Sequence, residues 1–316
     1  MKSEMPIEEL VVEFSQRIAA IMLAETENGV VPRFNQPKTV ACVQAEFRVH
    51  ADIPDEFKQG VFAKPTCYPA LLRFANATNR DDSKKDIRGL SMRLSNVEGE
   101  TLWGESGFQD FIFNSYPALF VATPEDFLAF TRARQKNQKL LFFLNPLHAK
   151  SLWIGFKASQ KHFSPLDIRY WSTVPFRLGE HSKLVVKYSM IPCSDYQTTA
   201  AVEPGENQLR AALKAHLRHS PAKFHFAVQK QTSPEAMPIE DASVIWDEAA
   251  SPFQTVATIT IEQQDFDNPK SLAACERSSF NPWQSLAAHE PLGRMNLVRR
   301  MIYAQAAALR NKESNP

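Results

Sequence analysis

A chain of 316 residues, 44% hydrophobic and carrying a net charge of +1, is long enough to bury a sizeable core as one large domain or two small ones. The balanced charge, with no basic block, argues against nucleic acid as the main partner. No apolar run is long enough for membrane insertion as a spanning helix.

From Pro6 to about Glu27 apolar residues recur at helical period, with Leu10, Phe14, Ile18 and Ile21 on one side, and Asn28-Gly29 closes the helix. Glu4, Glu8, Glu9 and Glu13 make it acidic, unlike the basic-then-apolar form of a signal peptide, so a cytoplasmic protein is expected. Residues 30–37 form a linker with Pro32 and Pro37. From Thr39 the period changes to two or to short apolar runs: TVACVQAEFRVHA, YPALLRFANAT, IRGLSMRLSN and FQDFIFNS, each bounded by Pro, Gly, Asp or Asn. These predict successive strands. Thr123-Pro124-Glu125-Asp126 is a helix start with Pro in its first turn, and its body runs to about Gln135. The apolar and aromatic stretch Leu140 to Gln160 predicts further helix across the outside of the sheet. Strand patterns return in HSKLVVKYSMIPC, FHFAVQKQT and QTVATITIEQQDF, with a short helix at Asn207 to His219 and a last one at Gly293 to Arg310.

The pattern predicts an α+β fold: a large antiparallel β-barrel, closed or nearly so, with peripheral helices and a C-terminal helix. Residues 1–38 would be an N-terminal helix and linker, and 39–316 the barrel with its terminal helix. Cys42, Cys67, Cys193 and Cys275 are scattered with no CxxC pair, which suits reduced core thiols better than a disulfide frame or a zinc site.

The last helix carries Arg299, Tyr303 and Arg310 at intervals of four and seven, on one face beside an apolar stripe of Met295, Val298, Ile302, Ala306 and Leu309. Cations are commonplace near a helix C-terminus. A Tyr with an Arg one turn earlier is nonetheless a chemical device, because a permanent positive charge favours the phenolate, an axial ligand that proteins use for haem iron. Upstream, His50 and Arg48 share one face of an alternating strand. Arg73 interrupts an apolar strand, where a buried guanidinium needs an anionic partner such as a haem propionate or a protein carboxylate. Asn114 puts a neutral amide at a strand end, and Phe127 follows on the next helix.

Taken in order, VHA with His50, Arg73-Phe74, DIRG at Asp86 to Gly89, FN-x-x-P at Phe113 to Pro117, and R-x-x-x-Y-x-x-x-x-x-x-R at Arg299 to Arg310 resemble the haem catalases. The match spans most of the chain from Thr39 to Arg310 and is similar to the small catalase-related haem proteins that lack a long arm and an extra C-terminal domain. The resemblance implies haem b as cofactor and Tyr303 as the metal ligand, with Arg299 beside it and Phe127 packed on the ring. Arg73 and Arg310 would pair with propionate or steady the proximal side. It implies His50 as distal base and Asn114 as its amide partner. Three departures stand out: Ala75 replaces the Ser that usually follows the Arg-Phe pair, Phe47 stands where an Arg usually precedes the distal His by three, and Ala304-Gln305 follows the Tyr. Val49 before His50 matches catalases rather than the allene oxide synthase branch. The activity implied is peroxidase turnover of hydrogen peroxide or an organic hydroperoxide with weaker catalase turnover. A fatty-acid hydroperoxide lyase or allene oxide synthase on the same scaffold, and a non-enzymatic haem carrier or sensor, are the alternatives. The reading leaves room for an organic reductant and for a homo-oligomer.

Overall fold

The protein is described by a computed structural model covering residues 4–193 and 198–313. Among the described residues nine strands form one antiparallel sheet: β1 (Lys38–Val49), β2 (Cys67–Asn76), β3 (Arg88–Ser95), β4 (Phe108–Asn114), β5 (Tyr170–Trp171), β6 (Phe176–Arg177), β7 (Val185–Pro192), β8 (Ala222–Lys230) and β9 (Gln254–Ile261). Their order is β5-β4-β3-β2-β1-β9-β8-β7-β6, and pairing of β5 with β7 closes eight of them into a barrel, leaving β6 as a short addition to β7. Full closure removes the exposed edges that an open sheet must protect. The two-residue strands β5 and β6 are too short to show a sequence period.

The alternation read from sequence sends one face of each strand inward. Leu72 and Phe74, Leu90 and Met92, and Phe111 and Phe113 meet in the barrel, where Phe111 lies 5.0 Å from Phe226 of the far wall. The interior is therefore filled by side chains, as expected of a barrel this small. Even its polar members are satisfied: His289, fully buried, accepts from the Val61 amide and lies 2.8 Å from the Tyr188 hydroxyl.

The opposite face of β2, β3 and β4 carries two rows set by register. Arg73, Ser91 and Ile112 are neighbours across the three strands, and one step along lie Ala75, Gly89 and Asn114. Over these rows sit three helices, α1 (Ile7–Ala24), α2 (Pro124–Gln135) and, at the chain's end, α7 (Arg294–Glu313). Thr123 caps α2, its hydroxyl accepting from the Asp126 amide. The three helices share a second apolar cluster that includes Leu10, Phe14, Ile18, Leu128, Val298 and Ile302. Each such side chain contributes roughly 1.5–3 kcal/mol on burial, enough to hold a helix that short-range propensity alone would not. The remaining helices are α3 (Lys139–Leu144), α4 (Ala149–Ala158), α5 (Gln208–Leu217) and α6 (Pro269–Arg277). No helix among the described residues is long and apolar enough to cross a membrane.

One expectation is corrected. Cys42 and Cys275 form a disulfide with Cα atoms 6.2 Å apart, while Cys67 and Cys193 stay free. The pair is 233 residues apart in sequence, so no local spacing announces it. Helix α6, which the sequence reading did not anticipate, brings Cys275 to β1.

Candidate haem site

The cavity between the outer rows of the barrel and the helical layer gathers Arg73, Phe127, Arg299, Tyr303 and Arg310, the five side chains expected to hold the cofactor. Helical periodicity does most of this work, since Arg299, Tyr303 and Arg310 point the same way from α7. The Arg299 guanidinium donates to the Tyr303 hydroxyl oxygen at 3.1 Å and stands 5.1 Å from the centre of its ring. Asn296 in turn accepts from Arg299 at 3.0 Å, so the cation is held in place from the turn before. Phe127 reaches the cavity from α2 and packs on Phe14 at 5.5 Å.

A third guanidinium joins Arg73 and Arg310 here: Arg33, from the linker before β1. Arg73 is almost wholly buried, donating to the Thr39 hydroxyl and the Gln36 carbonyl, and has no ion-pair partner among the described residues. Arg310 donates to the Ser278 carbonyl. Arg33 donates to the carbonyls of Cys275, Glu276 and Ser278, while its Nε is buried without a hydrogen-bond partner. Glu276, 3.7 Å from Arg33, is the nearby carboxylate. Burial first, and then the charge of Arg33, push Arg73 down to about 9 and Arg310 down to about 10; burial likewise lowers Arg33. Three guanidiniums with one half-exposed carboxylate leave an excess of positive charge in a low-dielectric place. An anionic ligand with two carboxylates would relieve it. The donor-rich wall, with the Arg33 Nε unbonded and no nearer than 3.7 Å to the Glu276 carboxylate, thus fits a haem with its two propionates.

The cavity itself measures about 120 Å³. That is below the roughly 300–1,000 Å³ of a small-molecule site. Ile18 and Met22 of α1 line one side.

The structure does not bring His50 into the cavity. It lies just past the end of β1, eight residues beyond Cys42, the register partner of Arg73, hence roughly 25 Å along the strand. There its Nε2 is 2.8 Å from the Thr258 hydroxyl, and its ring sits near His225. The side chain in the cavity is instead Gln36, in the left-handed region at φ 57°, with Nε2 3.5 Å from the Asn114 Oδ1. Gly89 makes this approach possible, because a Cβ there would come 2.2 Å from the Gln36 amide carbon. Ala75, beside Gly89 in register, keeps the same stretch of wall low. A signal was present: Arg33 precedes Gln36 by three, the spacing sought before a distal His and not found at Phe47. A search for imidazole passes over it.

No family model matches this chain. Among solved structures it is similar to a fungal catalase, at 16% identity and TM-score 0.69, over 89% of this chain and 59% of that one. It is similar also to a bacterial catalase (16%, TM-score 0.68, 93% and 58%) and to catalase A from Saccharomyces cerevisiae (16%, TM-score 0.67, 92% and 62%). The barrel and its helical layer are the catalase fold. This chain spans about three fifths of the length of those catalases.

Proposed function

We propose that this chain binds haem b in the cavity, where Tyr303 would hold its iron, and acts there on a peroxide or organic hydroperoxide. The observation that carries the reading is the Arg299–Tyr303 contact facing a wall of three guanidiniums with too few carboxylates. Arg33, Arg73 and Arg310 would hold the propionates, Phe127 would pack on the ring, and Arg299 would hold the Tyr303 oxygen toward the metal. Bound haem supplies the redox chemistry that splits an O–O bond.

On the barrel side Gln36 lines the cavity with a neutral amide, and Asn114, beyond the lining, accepts from it. Gln36 donates a hydrogen bond to a ligand oxygen and orients it, but an amide does not titrate and so moves no proton between the two oxygens of a peroxide. This favours peroxidase turnover over catalase turnover, which must activate two peroxide molecules. The placement of His50 at the barrel's far end also favours a second reading, a haem carrier or sensor, which needs the proximal side alone.

Titration of the purified protein with haemin, followed by its absorption spectrum, tests the reading. Wild type should take up one equivalent, and Tyr303→Phe should lose it while keeping its far-ultraviolet circular dichroism. A Tyr303→Phe variant with the wild-type ferric spectrum would refute Tyr303 as the residue that holds the iron. Oxidation of a phenolic reductant by the loaded protein with an alkyl hydroperoxide separates enzyme from carrier.

A further inference from the structure

Of thirteen large apolar side chains exposed among the described residues, seven fall within residues 140–156: Leu140, Leu141, Leu144, Leu147, Leu152, Trp153 and Phe156, each between 48% and 79% exposed. A soluble protein ordinarily scatters such residues singly. Here they belong to α3, α4 and the turn between them, whose other faces are anchored by Phe142, Ser151, Ile154 and Ala158. Trp153 and Phe156 lie side by side with ring centres 6.5 Å apart.

Along the sequence the charge of this stretch is of one sign. Between Asp126 and Asp167 the sequence has seven Lys and Arg and no acidic residue. Arg132 and Arg134 are used within the fold, on Glu13 and Glu25, and Lys150 stands 3.7 Å from Asp241. Lys136, Lys139, Lys157 and Lys161 have no ion pair among the described residues; Lys157 lies over Trp153 and Lys161 over Phe163. Apolar side chains with Trp and Phe, ringed by lysines whose stems can lie along the apolar surface, have the chemistry of an interfacial anchor.

We propose that α3 and α4 dock this protein on an anionic lipid surface. Leu, Trp and Phe enter the boundary between headgroups and acyl chains, and the lysines meet the lipid charge. A second copy of the chain is the weaker occupant, because pairing this face with itself would bring four lysines against four. The proposal is independent of haem, although Phe127, Phe130 and Phe142 form a continuous line of rings from the cavity to α3.

Sedimentation with vesicles tests it, using phosphatidylcholine alone and phosphatidylcholine mixed with phosphatidylserine. Wild type should partition at least about tenfold more strongly to the anionic vesicles, and less so as salt is raised. Trp153→Glu with Phe156→Glu, at exposed positions that leave the core intact, should remove most of the binding, and Lys139→Gln with Lys157→Gln should weaken it by several-fold. Absence of wild-type binding to anionic vesicles would overturn the proposal. So would a dimer in vesicle-free solution that Trp153→Glu dissociates, since a second copy would then cover the patch.

Discussion

Arg299 and Tyr303 meet one turn apart on α7, the guanidinium donating to the hydroxyl oxygen at 3.1 Å, and the pair faces Arg73 across a single cavity. Two sets of cations therefore surround the site with different jobs. Arg299 serves an oxygen of the protein, whereas Arg33, Arg73 and Arg310 have a single carboxylate, Glu276, near them.

That shortage has a sign that can be measured. Arg73→Leu removes a buried charge without a carboxylate partner, so the haem-free protein should melt no lower than wild type, while haemin affinity should fall by about tenfold or more. A structural arginine would behave in reverse, with melting reduced and affinity unchanged. Differential scanning calorimetry and haemin titration on the same variant distinguish the two.

The residue facing a bound ligand is decided by pH dependence. Cyanide binding to the haem-loaded protein should show no protein titration between pH 5 and 8, because Gln36 and Asn114 do not ionise and Arg73 and Arg310, although lowered by burial, stay charged across that window. Gln36→His should introduce an inflection there and speed reaction with hydrogen peroxide by roughly 10²-fold, the lower end for a positioned acid–base group. His50→Ala should leave both profiles unchanged. An inflection in wild type that His50→Ala abolishes would return the distal role to His50.

The disulfide ties α6 to the cation wall, since Cys42 is the register partner of Arg73 and Arg33 donates to the Cys275 carbonyl. Titration of the unfolded, unreduced protein should find two thiols, Cys67 and Cys193, and four after reduction. Reduction should also loosen α6 and with it the carbonyls that hold Arg33, raising the haem dissociation rate by several-fold. Four thiols without reductant would show that Cys42 and Cys275 do not pair.

Acid should loosen α1. Hydrogen bonding from Arg132, with Arg17 adding to it, lowers Glu13 to about 2, and the bond from Arg132 pins α1 to α2. A carboxylate with a lowered folded value contributes stability above its unfolded value of 4.5 and loses it as pH falls toward about 2. Haem release should accelerate through that interval, and Glu13→Gln should show the faster release already at neutral pH. An unchanged rate in that variant would remove α1 from the gating of the cavity.

How much of this was legible in the chain depends on the range of the forces involved. The shared face of Arg299, Tyr303 and Arg310 was, because the three sit on one helix whose period of 3.6 is itself a local property. The strands were legible for the same reason, and the alternation that packs Phe74, Leu90 and Phe113 inward necessarily turns Arg73, Ser91 and Ile112 to the other side. Their assembly into one wall, however, is a matter of register between strands distant in sequence. So is the disulfide across 233 residues. The barrel-side wall at Gln36 was the least legible: Gln36 lies in a linker without period, in a left-handed conformation, and its place depends on the missing side chain of Gly89. A strand histidine such as His50 satisfies a pattern, but only the barrel's geometry decides at which end of the strand the cavity lies, and it lies at the other.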